Sequence, residues 1–125
     1  MRRRTPRSPS HPLLRARLWV ERGGLIALTE VGADLLEQIQ IKGSLSEAAR
    51  SLHISYRRAW MLLDAMNKRW AKPLVTTAVG GKRGGGAKLT ELGTRVLRSF
   101  RDLQIHIEAA IDRQADSFRR ATRLP

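Results

Sequence analysis

Residues 43–67, "GSLSEAARSLHISYRRAWMLLDAMN", constrain the fold more than any other stretch of the chain. Ser44 and Glu47 stand three apart ahead of an apolar pattern. That is the spacing of a capping box, in which hydroxyl and carboxylate each satisfy an orphan amide at a helix start. A helix therefore begins near Leu45. Ala48, Ala49, Leu52, Ile54, Ala59 and Leu62 then recur at the offsets of two helices joined by a tight turn. Ala49 is small enough for the helices to cross closely, and Leu52 and Ile54 bracket the turn. Ser55 is the natural cap of the second helix, about Tyr56 to Arg69. His53 stands where such a turn usually takes glycine to reach a left-handed backbone. Histidine is among the residues better tolerated there, at some cost. The spacing predicts a helix-turn-helix unit.

The second helix has its inner face at Ala59, Leu62, Leu63 and Met66, leaving Tyr56, Arg57, Arg58, Met61, Asp64 and Lys68 outside. Trp60 is expected to pack between this helix and its neighbours rather than to touch a base. Upstream, Leu14, Ala16, Leu18 and Val20 alternate with Arg15, Arg17, Trp19 and Glu21, the period of a half-buried strand. "RGG" (residues 22–24) supplies a turn and "LIAL" (residues 25–28) a returning strand. Thr29 caps a helix to about Ile41, with Glu30 in its first turn and a buried stripe at Val31, Leu35, Leu36 and Ile39; Gly43 ends it. Downstream, Pro73 closes the helical region, "LVTTAV" (residues 74–79) is β-branched, and "AKL" (residues 87–89) can return as its partner. Thr90 and Glu91 open a long helix whose apolar residues step by three and four: Leu92, Val96, Phe100, Leu103, Ile107, Ala110 and Ile111. Helix, strand, basic loop, strand is the order of a winged helix. The expected fold is mainly α with small β-hairpins: a winged helix-turn-helix with an N-terminal β-hairpin and a long C-terminal dimerisation helix.

The 125 residues carry 24 lysines and arginines against 11 acidic residues, a formal charge of +13, which favours a polyanionic partner. Hydrophobic residues make up 42%, enough for one domain with a modest core. With no cysteine there is no disulfide framework and no thiolate metal site, which fits a cytoplasmic protein. "MRRRTPRSPSHP" (residues 1–12) has arginines but no apolar stretch behind them. It is expected to be a disordered basic arm rather than a secretory or twin-arginine signal. No window is apolar enough to span a membrane. The domain is expected over residues 13–112, including the dimerisation helix at about 90–112, with a frayed basic tail over 113–125.

The loop "VGGKRGGGAKLT" (residues 79–90) holds five glycines and three basic residues. A nucleotide-hydrolase phosphate loop needs lysine and a hydroxyl directly after its second glycine. Gly81 and Gly86 have the right separation, but Ala87 follows, Lys88 is one residue late, and Leu89 replaces the hydroxyl. The dinucleotide fingerprint fails too, since no strand–helix–strand unit frames the glycines. Beside a helix-turn-helix the loop makes sense as a wing, with Lys82, Arg83 and Lys88 meeting a DNA backbone. The three histidines, His11, His53 and His106, share no helix turn, and no carboxylate pair sits in an apolar setting. Neither a catalytic nor a metal site is expected, and no cofactor.

These motifs, residues 43–67 followed by "GGKRGGGAKLTELG" (residues 80–93), resemble the N-terminal domain of the molybdate-responsive ModE family of transcription regulators. That domain is similar to the DNA-binding head of LysR-type regulators. The resemblance covers roughly residues 13–111. It implies a sequence-specific, dimeric DNA-binding regulator acting on an inverted repeat in double-stranded DNA. The DNA-contact candidates are Ser44, Ser46, Ser55, Tyr56, Arg57, Arg58, Met61, Lys82, Arg83 and Lys88. The dimer seam is expected at Leu92, Val96, Phe100, Leu103, Ile107 and Ile111, since the family's long fourth helix pairs with its twofold mate. Full-length members append β-barrel domains that bind molybdate. Nothing after residue 111 is long enough to form one, so no molybdate site is expected within this chain, and a link to molybdenum or oxyanion metabolism rests on the resemblance alone. Two rival functions fit the same features: a nucleoid-type protein with little sequence preference, and an adaptor docking on another regulator through the long helix.

Overall fold

A computed structural model describes residues 13–78 and 85–123. In chain order these form β1 (Val20–Arg22), β2 (Leu25–Leu28), α1 (Glu30–Lys42), α2 (Leu45–Ser51), α3 (Tyr56–Arg69), β3 (Val75–Thr77), β4 (Ala87–Leu89) and α4 (Glu91–Ala121). The strands make two separate antiparallel hairpins, β1–β2 and β3–β4. The four helices and two small hairpins have the winged helix-turn-helix architecture that the sequence predicts.

Local signals set the helix boundaries. The hydroxyls of Thr29, Ser44, Ser55 and Thr90 accept from the backbone N–H groups of Gly32, Glu47, Arg58 and Gly93, so all four helices start on a side-chain cap. Gly43 closes α1 with φ 70°, a left-handed conformation that glycine adopts without a Cβ penalty. The centre of the domain is apolar: Leu28, Leu35, Leu36, Ile39, Leu74 and Phe100 are its largest fully buried side chains.

Four expectations need correction. The strand expected from Leu14 begins only at Val20, because β2 is four residues long and Thr29 already caps α1, which limits the length of the β1–β2 ladder. Val31 is exposed rather than part of the buried stripe of α1. The helix instead turns Gly32 and Ala33 inward, and a Cβ on Gly32 would stand 3.0 Å from Met66 Sδ, so α1 and α3 approach through the missing side chain. Phe100, assigned to the dimer seam, is 2% exposed and belongs to the domain's own core with Leu97, while Leu92 and Val96 pack against that core. Finally, α4 continues to Ala121 rather than ending near residue 112; within this extension Ala115 is buried and Arg119 pairs with Asp116 at 3.1 Å. The basic arm over 1–12 lies outside the described residues.

Candidate nucleic-acid interface

The turn between α2 and α3 is built from backbone bonds. Leu52 N–H donates to Ala48 and Ala49, His53 N–H to Arg50, and Ile54 N–H to Ala49 at 3.1 Å. His53 adopts φ 56°, the left-handed conformation its position predicted. This turn aims the start of α3 away from the core. Ser55, Tyr56, Arg57, Arg58 and Met61 are all exposed there, and among the described residues neither guanidinium has an acidic partner. Ser55 Oγ accepts the Arg58 amide at 3.0 Å, which leaves its own proton to donate to a phosphate oxygen. Ser44 Oγ accepts the Glu47 amide at 3.3 Å and is likewise left with a proton, and Ser46 is exposed one residue inside α2. Further along α3, Asp64 pairs with Lys68 at 2.8 Å.

Trp60 departs from its expected packing role. It is 49% exposed and lies outside the core, with Tyr56 at 52% one turn earlier and Met61 at 63% beside it. The tryptophan that does pack is Trp70, whose Nε1 donates to Ala27 O at 3.1 Å while the Arg22 guanidinium lies 5.2 Å from its ring centroid.

The wing is held at both strands. At the start of β3, the Asn67 side chain accepts from Leu74 N–H (2.9 Å) and Val75 N–H (3.2 Å) and donates to Val75 O (3.1 Å). In β4, Ala87 N–H donates to Gly43 O at 3.0 Å, which joins the wing to the loop that opens α2. Lys88 projects from the middle of β4, exposed and opposite Thr76. Lys82 and Arg83 lie outside the described residues. Neither anchor carries a local signal in the sequence. Asn67 bonds residues seven and eight positions away by a side chain that no periodicity marks.

The long helix is fixed to α1 by a polar cluster. Arg101 meets Asp34 at 2.8 Å and Glu37 at 3.4 Å, and donates to Gln104, whose amide in turn donates to Glu30 at 3.3 Å. The bonds between the two helices join residues 64 to 74 positions apart in the chain, beyond any local signal. Past Arg101 the helix is less covered: Leu103 and Ile105 are at least half exposed, Ile107 and Ile111 are half-buried, and Ala115 is buried again. Val20, Leu28, Trp70, Val96, Phe100 and Leu103 line an open apolar hollow of about 230 Å³ between the first hairpin and α4. Among the described residues no group of three histidines or acids is placed to hold a metal, and no helix is long and apolar enough to cross a membrane.

The chain is similar to known proteins. Over 96 residues the chain is 38% identical to the molybdenum transport protein ModE of Azotobacter vinelandii, a match covering 77% of this chain and 36% of that protein. Over 66 residues it is 44% identical to the transcriptional regulator ModE of Haemophilus influenzae, covering 53% of this chain and 26% of that one. The chain carries a ModE-type winged helix-turn-helix domain. It spans about a third of the length of the curated relatives it matches. No protein-family model matches it. Among solved structures, the ModE-type domain superposes on the CbnR_DBD–DNA complex with a TM-score of 0.58 at 20% identity, covering 74% of this chain and 100% of that one. At that identity the likeness concerns the fold.

Proposed function

We propose that the ModE-type domain is the DNA-reading part of a transcription regulator that binds an inverted repeat as a homodimer. What supports this is the pair of exposed guanidiniums, Arg57 and Arg58, without an acidic partner among the described residues, on the capped first turn of α3 beside a wing anchored to the same helix. The N-terminal turns of such a helix enter the major groove, where arginine reads guanine through two hydrogen bonds. Ser44, Ser46, Ser55 and Tyr56 hold the phosphates on either side, and Lys88, with Lys82 and Arg83, follows the backbone from the wing. The outboard half of α4, with Leu103, Ile107 and Ile111, forms the seam against a twofold mate, and the apolar hollow beside Leu103 receives the mate's side chains. Leu92, Val96 and Phe100 contribute by shaping the base from which that seam extends. A link to molybdenum rests on the names of the relatives. The domain acts by binding rather than by catalysis, and the protein works in the cytoplasm, where its DNA partner lies.

Base reading and phosphate binding separate experimentally. Arg57→Ala or Arg58→Ala is expected to cost ~1–3 kcal/mol on a selected duplex and to relax its base preference. Lys88→Ala is expected to weaken selected and random duplexes alike and to flatten the dependence of affinity on salt. Equal losses on both duplexes for all three variants would overturn this division of labour.

A further inference from the structure

Arg57, Trp60, Met61 and Asp64 stand at offsets of zero, three, four and seven along α3, the spacing that puts side chains on one stripe of a helix. The stripe is polar at its ends and apolar in the middle. Arg57 opens it, the Asp64–Lys68 pair closes it, and Trp60 and Met61 between them are 49% and 63% exposed. A tryptophan and a methionine side by side in water are the reverse of what a solvated helix face carries, and they point to a surface that covers them. The occupant consistent with the surroundings is anionic, because Arg57 and Arg58 precede the pair by about one turn, Lys68 offsets Asp64 on its other side, and the chain carries a charge of +13. Within a duplex, the apolar feature that a major-groove helix meets is the thymine methyl group.

We propose that Trp60 and Met61 are specificity-determining residues that read thymine methyl groups, so that each half-site combines a guanine facing Arg57 with thymine under Trp60. This rests on the DNA-reading assignment above and deepens it. Burying one methyl contributes about fourfold in affinity.

The test uses the full chain and a duplex selected by it from a random pool, with each thymine of the half-site replaced singly by deoxyuridine. That change removes the methyl and leaves every hydrogen-bonding group. Wild-type protein is expected to bind about fourfold more weakly at one or two positions per half-site. Trp60→Ala is expected to bind the thymine duplex more weakly and to lose its sensitivity at one of those positions, while Trp60→Phe keeps it. Because Trp60 lies outside the core, both variants retain the fold, which circular dichroism checks. Equal affinity for thymine and deoxyuridine at every position would overturn the proposal. So would full methyl sensitivity in Trp60→Ala, or an altered oligomeric state with DNA affinity unchanged, which would assign the patch to a protein partner. A selection that enriches no sequence would instead overturn the DNA-reading assignment on which the proposal stands.

Discussion

Asn67→Ala removes the side chain that joins the recognition helix to the wing, and the structure sets the size of its effect. Asn67 Oδ1 accepts from two backbone N–H groups and Nδ2 donates to one carbonyl, at 2.9, 3.2 and 3.1 Å. Those backbone groups belong to Leu74 and Val75, which are 0% and 2% exposed. Each buried polar group left without a partner costs ~1–3 kcal/mol. Asn67 itself is only half-buried, so water entering the vacated space offsets part of the loss. The expected destabilisation is about 2–4 kcal/mol, a large share of the ~5–15 kcal/mol of a typical domain. In urea, with a slope of ~2 kcal/mol per molar, the midpoint falls by about 1–2 M. Amide hydrogen exchange of the unfolding-resistant amides should show β3 and β4 opening before α1–α3. A loss below ~0.5 kcal/mol at unchanged slope would refute the claim that Asn67 holds the wing.

Three further substitutions probe the same framework. Gly93→Ala would normally stabilise a helix by ~0.5–1 kcal/mol, but here the new Cβ overlaps the Leu74 carbonyl, whose carbon stands 2.9 Å away. A loss of at least ~2 kcal/mol is expected, and thermal unfolding reads the sign directly. His53→Gly relieves the left-handed strain at φ 56° and is expected to raise stability by ~0.5–1 kcal/mol, measured by the urea midpoint; a decrease would show that the histidine side chain holds the turn. Arg101→Ala breaks an ion pair whose acids are nearly half exposed, so the expected cost is only ~0.5–1 kcal/mol, shrinking in 1 M salt; an unchanged difference in high salt would mean that packing dominates.

The helix-turn-helix was legible because its determinants are local. Each of the caps at Thr29, Ser44, Ser55 and Thr90 bonds an amide three residues ahead, and the strain at His53 follows from its place in one turn. What escaped depends on distant partners. Phe100 shares the step of three and four with Leu103, yet one fills the core and the other is half exposed, because periodicity marks a stripe but not which part of it the domain itself covers. Trp60 and Trp70 are equally apolar in the sequence, and only the position of β2 decides that Trp70 is the one that packs. Arg101 and Asn67 are ordinary polar residues until the fold brings α1 and β3 beside them.

The central claim, that this domain reads sequence rather than charge alone, is tested most directly by one ratio. The affinity for a duplex selected from a random pool is compared with the affinity for a scrambled duplex of equal length, at fixed salt near the physiological value. The account predicts a preference of roughly a thousandfold or more for the selected inverted repeat. A ratio near one would contradict it and assign the +13 charge to binding of DNA without regard to sequence.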